Sequence, residues 1–356
     1  MTRLIEILIS IAIVFALFVI VGVFLPSSRH LSESVQTNRR VAIAYDMLNN
    51  VRRFTDWNPV LLHDPAAKVE LSGKDEGVGA KIAYQSSVRG VGNGSWTITE
   101  SEPNKRVLYA IETGTPGSNK RSEFTLQAVG NRGRNTQVTQ TYDVDYGFNP
   151  IARYAGLYVS NSVGEDIKLG LGRLANALSG VPNIDYSQLP KEYEAPLPSL
   201  GQRPAETLLT VGAVVPIDRD KIKAQMNSNL EWIRKVIASN GLEQAGPVRI
   251  LTNEQGAANY SFDVAVPVKK GGVSENIQGI NTSGTPVKVA YNNASKVAGT
   301  TFKGDMGNLQ HLRDAIRAWS LTHGYATVDR PYEIWTGGID AGFSDQGQFT
   351  VQWAVK

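Results

Sequence analysis

Few residues in this chain are spaced for chemistry. Its four histidines, His30, His63, His311 and His323, show no metal-ligand spacing. His311 and His323 stand twelve positions apart, whereas a zinc-binding helix needs four with a glutamate between. His63-Asp64 has the make-up of a base beside its orienter, but it precedes Pro65, and a solvated turn is the plainer reading. The chain has no cysteine, which excludes disulfides, thiolate-held zinc, iron–sulfur clusters and thiol catalysis. No G-x-S-x-G elbow and no P-loop occurs. Gly170-Leu171-Gly172-Arg173-Leu174-Ala175 imitates a dinucleotide fingerprint, yet it falls inside a helical stretch, so no helix N-terminus faces a phosphate. Neither a cofactor nor a metal is expected.

Two sets of side chains remain. Tyr84, Trp96, Tyr109, Phe124 and Tyr142 lie on separate expected strands. Facing inward, they line an apolar ligand cavity; packed together, they make an ordinary filled core. Glu333 is the one carboxylate that stands out. On a strand, Tyr332 and Ile334 face one way while Glu333 and Trp335 face the other. One of these faces packs on helices and the opposite one, with Glu333 and Trp335, is expected to line a groove. A carboxylate beside an indole attracts organic cations, and in a dry pocket it becomes a general acid or base. A plain ion pair with a lysine or arginine, Arg249 included, is the alternative.

Positioning these residues takes 356 residues, about two domains' worth. Hydrophobic side chains make up 42% and the formal net charge is +3, which excludes a disordered chain. Residues 34–190 carry 17 basic and 15 acidic side chains and residues 191–356 carry 17 and 16, so neither half has the basic excess that nucleic acid requires. Leu4 to Leu25 has Glu6 as its one charge; as a helix it spans ~33 Å, the thickness of a bilayer's hydrocarbon core. Its apolar run is longer than that of a cleaved signal and no small-x-small site follows, so an uncleaved single-pass anchor in a bacterial-type inner (plasma) membrane is expected. Flanking charges (Arg3 before; Arg29, Arg39 and Arg40 after) favour a cytoplasmic C-terminal side by count. A three-residue tail with one arginine reads instead as a signal-anchor, and the soluble part is placed on the outer, periplasmic side.

Residues 181–204 hold five of the chain's 16 prolines and no apolar period, which predicts a linker between domains at 34–180 and 205–356. Before it, Arg40–Ala44 reads as a strand and Tyr45–Arg53 as a helix. From Lys68 on, short β-rich runs alternate with glycine-rich turns, an antiparallel meander. Pro150 opens a long helix to Leu178 with apolar residues three or four apart. Together these predict an α+β helix-grip, a sheet curved round one long helix.

Several segments here resemble the START/polyketide-cyclase-like (SRPBCC) superfamily. They are Arg40-Val41-Ala42-Ile43, Trp57-Asn58-Pro59, Leu71-Ser72-Gly73, Gly77-Val78-Gly79-Ala80 and Gly94-Ser95-Trp96 through Glu102-Pro103-Asn104. The resemblance implies an antiparallel sheet and C-terminal helix enclosing an apolar cavity, and no particular reaction.

The second half repeats itself. Asn240-Gly241-Leu242 leads to Pro247-Val248-Arg249-Ile250-Leu251-Thr252, as His323-Gly324-Tyr325 leads to Pro331-Tyr332-Glu333-Ile334-Trp335-Thr336. Each has an extended segment and a helix before it (Ala205–Val215 and Arg219–Ser239; Thr285–Phe302 and Met306–Thr322) and a strand after it (Tyr260–Val266; Gln348–Val355). Two such strand–helix–strand–strand units must pair to bury a sheet face. The duplication resembles the GyrI-like effector-binding domain, which implies a small-molecule groove with an acidic residue, here Glu333, facing it. Trp335 stands where that family has a tyrosine. The reading is a tethered binder of small hydrophobic or amphipathic ligands, a sensor or carrier. An enzyme using Glu333 and a protein-interaction scaffold are the alternatives.

Overall fold

The computed structural model describes residues 2–356. They form two compact units: one runs to Asn183 and includes Thr322–Gly324, and the other comprises Ile184–Leu321 and Tyr325–Lys356.

The first unit opens with α1 (Thr2–Phe24), an apolar helix long enough to cross a membrane. β1 (Ser28–Thr37) and α2 (Val41–Asn49) follow, then a 3₁₀ turn over Val51–Arg53, α3 (Phe54–Trp57) and α4 (Val60–His63). A meander comes next: β2 (Lys68–Ser72), β3 (Lys81–Gln85), β4 (Gly94–Glu102), β5 (Arg106–Thr113), β6 (Ser118–Val129) and β7 (Asn135–Asp145). The sheet is antiparallel, in the order β1-β7-β6-β5-β4-β3-β2. A register shift between Ile98 and Glu100 marks a bulge, which adds to the curl.

Two helices close the unit, α5 (Pro150–Ala155) and α6 (Val159–Ser179). The start of α5 is fixed locally: Pro150 occupies its first turn, and the Asn149 side chain accepts from the backbone N–H groups of Ile151 and Ala152. The single helix expected from Pro150 to Leu178 is therefore two, divided at Gly156–Tyr158. α6 buries Ile167, Gly170, Leu171, Leu174 and Leu178. Gly170 lets it approach closely, since a Cβ there would sit 3.4 Å from the Trp57 carbonyl oxygen.

Arg40–Ala44 is not a strand. Val41 and Ile43 favour β structure by propensity, but seven of the nine residues of α2 are buried, and packing against the sheet overrides that preference. The strand lies upstream, in Ser28–Thr37, where only Leu31 and Val35 are aliphatic and no apolar alternation announces it. It is held by ladder bonds to β7 along its whole length.

The second unit contains a 3₁₀ turn at Tyr186–Gln188, α7 (Leu189–Glu192), β8 (Ser199–Arg203), β9 (Glu206–Pro216), α8 (Arg219–Ser239), β10 (Glu243–Gln244), β11 (Val248–Gln255) and β12 (Asn259–Lys269). It continues through β13 (Lys288–Asn292), β14 (Ser295–Lys303), a 3₁₀ turn at Met306–Asn308, α9 (Leu309–Thr322), β15 (Thr327–Trp335), α10 (Gly338–Gly342) and β16 (Gln348–Val355). The duplication is visible in the sheet order β13-β9-β12-β11-β15-β16-β14-β8. β11 and β15 meet in the middle, with Ile250 opposite Glu333, and β12, β9 and β16, β14 flank them as a mirrored series.

Two sequence expectations change here. Ser199–Arg203, read as part of the proline-rich linker, is an edge strand paired with β14. The extended stretch Thr285–Phe302 splits, and its halves go to different parts of the sheet: β13 pairs with β9, β14 with β16.

Candidate functional site

The first unit encloses a cavity of about 660 Å³ between the concave face of its sheet and α6. Sheet residues supply one wall: Tyr84 from β3, Trp96 from β4, Ile111 from β5, and Gln140 and Tyr142 from β7. α6 supplies the other through Asp166, Ile167 and Gly170, and the Trp57–His63 segment closes one side. That segment is shaped by the Asn58 side chain, whose Oδ1 accepts from the Val60 N–H at 3.0 Å and makes the turn between α3 and α4.

Of the aromatics expected inside, the structure brings Tyr84, Trp96 and Tyr142 to the cavity. Tyr109 and Phe124 pack behind it, in a cluster with Phe54, Trp57 and Trp96 at ring separations of 4.9–6.3 Å. Tyr109 is fully buried and donates its hydroxyl to the Leu48 carbonyl of α2 at 2.6 Å. Tyr84 lies across Gly94, its cross-strand partner; a Cβ at Gly94 would fall 2.5 Å from the tyrosine Cζ. Three of the five rings thus line the cavity and two fill the core behind it.

The walls mix aromatic and aliphatic side chains with polar ones, among them Arg89, Gln140, Asn161 and Glu165. Burial raises the pKa of Tyr84, with the Asp166 carboxylate adding to the shift, and burial raises Tyr142. Trp57 is buried, and its indole Nε1 has no hydrogen-bond partner. That nitrogen is closed off from the cavity by the surrounding packing, and an unpaired buried donor of this kind costs free energy. Gln140 donates from Nε2 to Ser122 Oγ at 3.0 Å. At the half-exposed rim, His63 Nε2 and Asp166 Oδ1 are 2.7 Å apart.

His63 is therefore paired with Asp166 rather than with its neighbour. Asp64 turns away, accepting from Ser86 Oγ at 2.6 Å and from the Ala66 N–H at 2.9 Å. Trp57 and Asp166 were not foreseen as site residues. Trp57 stood in the Trp57-Asn58-Pro59 segment without a role, and Asp166 lies 103 positions from His63, beyond any local pattern.

In the second unit, α9 lies over the face that carries Glu333 and Trp335. Glu333 is fully buried: Oε1 accepts from Arg313 Nε at 2.5 Å, and Oε2 accepts from Trp335 Nε1 at 2.9 Å. Arg313 also donates to Gln255 Oε1 and to the Tyr260 hydroxyl. Glu333 and Trp335 therefore face the helix layer rather than an open groove, and Arg313 on α9, not Arg249, is the carboxylate's partner.

Tyr332 faces the other way, into a cluster with Leu208, Leu251 and Ala265. Its hydroxyl donates to Glu206, Arg249 Nε reaches that hydroxyl at 3.1 Å, and the Arg203 guanidinium stacks 4.4 Å from the ring centroid. Arg249 Nη2 also approaches Glu206 Oε2 at 3.4 Å. Burial, reinforced by Glu206, pushes the Tyr332 hydroxyl pKa up. Among the described residues, no cluster of three or more His, Asp or Glu is arranged to hold a metal ion.

Among curated proteins, none matches the sequence. Several solved structures resemble parts of the chain at low identity. The EcmrR C-terminal domain is 19% identical, with 46% of this chain and 98% of that one covered and a TM-score of 0.36. The Zhui aromatase/cyclase from Streptomyces sp. R1128 is 17% identical, covering 43% and 94%, with a TM-score of 0.31. The SAV2435 protein, solved bound to tetraphenylphosphonium, is 14% identical, covering 45% and 93%, with a TM-score of 0.30. Residues 28–179, the curved sheet together with the helix it grips, match the sequence pattern of the family described as polyketide cyclase / dehydrase and lipid transport.

Proposed function

We propose that this chain is a membrane-anchored binding protein, a carrier or sensor that holds an apolar or amphipathic small molecule in the cavity of its first unit. The observation that carries the reading is that 660 Å³ cavity, with Trp96, Tyr84 and Tyr142 on its walls. Its volume suits a drug-sized or lipid-like molecule. The polar side chains of the wall, Gln140 and the tyrosine hydroxyls among them, offer partners to a hydroxyl or carbonyl on a largely apolar body.

The remaining assignments belong to the same proposal. Residues 4–25 anchor the chain in an inner membrane, with the soluble part on the outer side. Residues 28–180 form the binding module, and 199–356 form a GyrI-like module. Glu333 is not the contact for a ligand of that second module, because both of its oxygens are already engaged.

The test is an organic extract of the purified full chain, read by mass spectrometry. The wild type should release an amphipathic molecule near one equivalent. Ile111→Trp, which fills the cavity, should lose it while keeping the near-UV circular dichroism of a folded chain. Tyr84→Phe, which removes a polar group from the wall, should weaken retention about five-fold, the worth of one hydrogen bond of about 1 kcal/mol. Identical extracts from all three proteins would sink the reading.

The enzyme alternative now rests on His63 instead of Glu333, because the His63–Asp166 pair touches the cavity and has the form of a base with its orienter. Conversion of the extracted molecule by wild type but not by His63→Gln would favour it.

A further inference from the structure

The segment that carries α5 exposes an unusual amount of apolar surface. Phe148 is 97% exposed, Tyr158 69% and Ile151 59%, and Leu157 adds to the same short stretch. Large contiguous apolar surface of this kind marks a contact site. Its position says what the contact is, because α5 is fastened to the C-terminal end of α1.

The fastening is specific. Tyr154 stacks on Phe18 with ring centroids 4.1 Å apart and planes 5° from parallel, and its hydroxyl donates to the Phe18 carbonyl at 2.8 Å. Pro150 lies against Gly22, where a Cβ would come within 2.8 Å of it. Arg153 donates from Nη1 to the carbonyls of Val23 and Leu25, two groups that the end of a helix leaves unpaired. Its Nε and Nη2 donate to Gly147. Phe18 is six residues before the end of α1, about 9 Å down the helix axis. α5 therefore runs beside the last turns of α1, at the depth where a spanning helix passes from hydrocarbon to headgroups.

We propose that Phe148, Ile151, Leu157 and Tyr158 form a second membrane contact, an interfacial patch inserted into the same lipid bilayer that α1 crosses; this rests on the reading of α1 as an anchor. The chemistry fits that zone. Aliphatic and phenyl groups enter the acyl boundary, while tyrosines are at home at headgroup level. The one charge on α5, Arg153, is buried and spends its donors on backbone carbonyls, so it needs no water there. The patch also runs directly into the cavity wall: α6 begins one residue after Tyr158 and its first two turns contribute Asn161, Ser162 and Val163 to the lining.

The natural absence of cysteine makes the test direct. Single cysteines are placed in the full chain by Phe148→Cys, Ile151→Cys and Tyr158→Cys, with Phe15→Cys in α1 and Asn131→Cys in the β6–β7 turn as references. Each carries a nitroxide label, and each protein is reconstituted in phosphatidylcholine–phosphatidylglycerol vesicles. Spin relaxation by oxygen and by a water-soluble nickel chelate reports depth. The three patch labels should favour oxygen over nickel, at a depth between the Phe15 and Asn131 labels. Patch labels as open to nickel as the Asn131 label, with the Phe15 label deep, would overturn this proposal and leave the anchor standing. A Phe15 label open to nickel would overturn the anchor, and the patch with it.

Discussion

Glu333 shows how an isolated residue misleads. Beside Trp335 on an alternating strand, a carboxylate has the form of a ligand contact, and the alternation itself is real. What a single strand does not reveal is which of its faces the helices cover. Here α9 covers the Glu333 face and delivers Arg313, so the carboxylate becomes one half of a buried ion pair. Removing one member of such a pair leaves the other charge buried without compensation, which costs about 3–5 kcal/mol. Glu333→Ala should therefore lower the denaturation midpoint of the full chain by that much free energy and leave ligand in the first-unit cavity unaffected. A neutral effect on stability would contradict the pairing. Arg313 could not be paired with Glu333 from the sequence, because they stand 20 positions apart on different elements.

At the scale of elements, the first-unit sheet and α2 hold several phenol groups away from water. Burial raises the pKa of Tyr84 and Tyr109, and burial together with nearby tyrosines raises Tyr142. In the unfolded chain these groups ionise near pH ~10. A raised folded pKa means that the stabilisation is present in full below that pH and is lost as pH rises through it, since only the unfolded chain then gives up the protons. The absorbance of ionised tyrosine at pH ~12, where free phenols are almost all ionised, should therefore fall short of all 13 tyrosines until denaturant unfolds the sheet. Full ionisation with an unchanged near-UV circular dichroism spectrum would refute it. The strands carrying these tyrosines were legible, because β-rich runs alternate with glycine turns from Lys68 onward. β1 was not, because its pattern is polar and partner β7 alone makes it a strand.

At the scale of the whole molecule, a soluble apolar cavity is joined to a helix that can cross a bilayer. α1 is bound into the first unit by Tyr154, Pro150 and Arg153. The full chain is expected to stay with membranes through a high-salt wash and an alkaline carbonate wash, and to leave only with detergent. Release by carbonate would remove the anchor. A compartment reporter fused after Lys356 reads the orientation, and activity on the outer side is expected.

The sequence by itself determined what depends on neighbours along the chain: the apolar length of α1, the meander with its turns, α8 at Arg219–Ser239, and the repeat that makes the second sheet two-fold. These follow from period, turn chemistry and length, which are local quantities. Tertiary structure decided the rest, because burial belongs to the fold and not to the residue. Packing made the strand-like residues 41–44 the first turn of α2, and drew Tyr84, Trp96 and Tyr142 to the cavity while Tyr109 and Phe124 filled the core behind it. It brought Asp166 to His63 and Arg313 to Glu333, and fastened α5 to the end of α1.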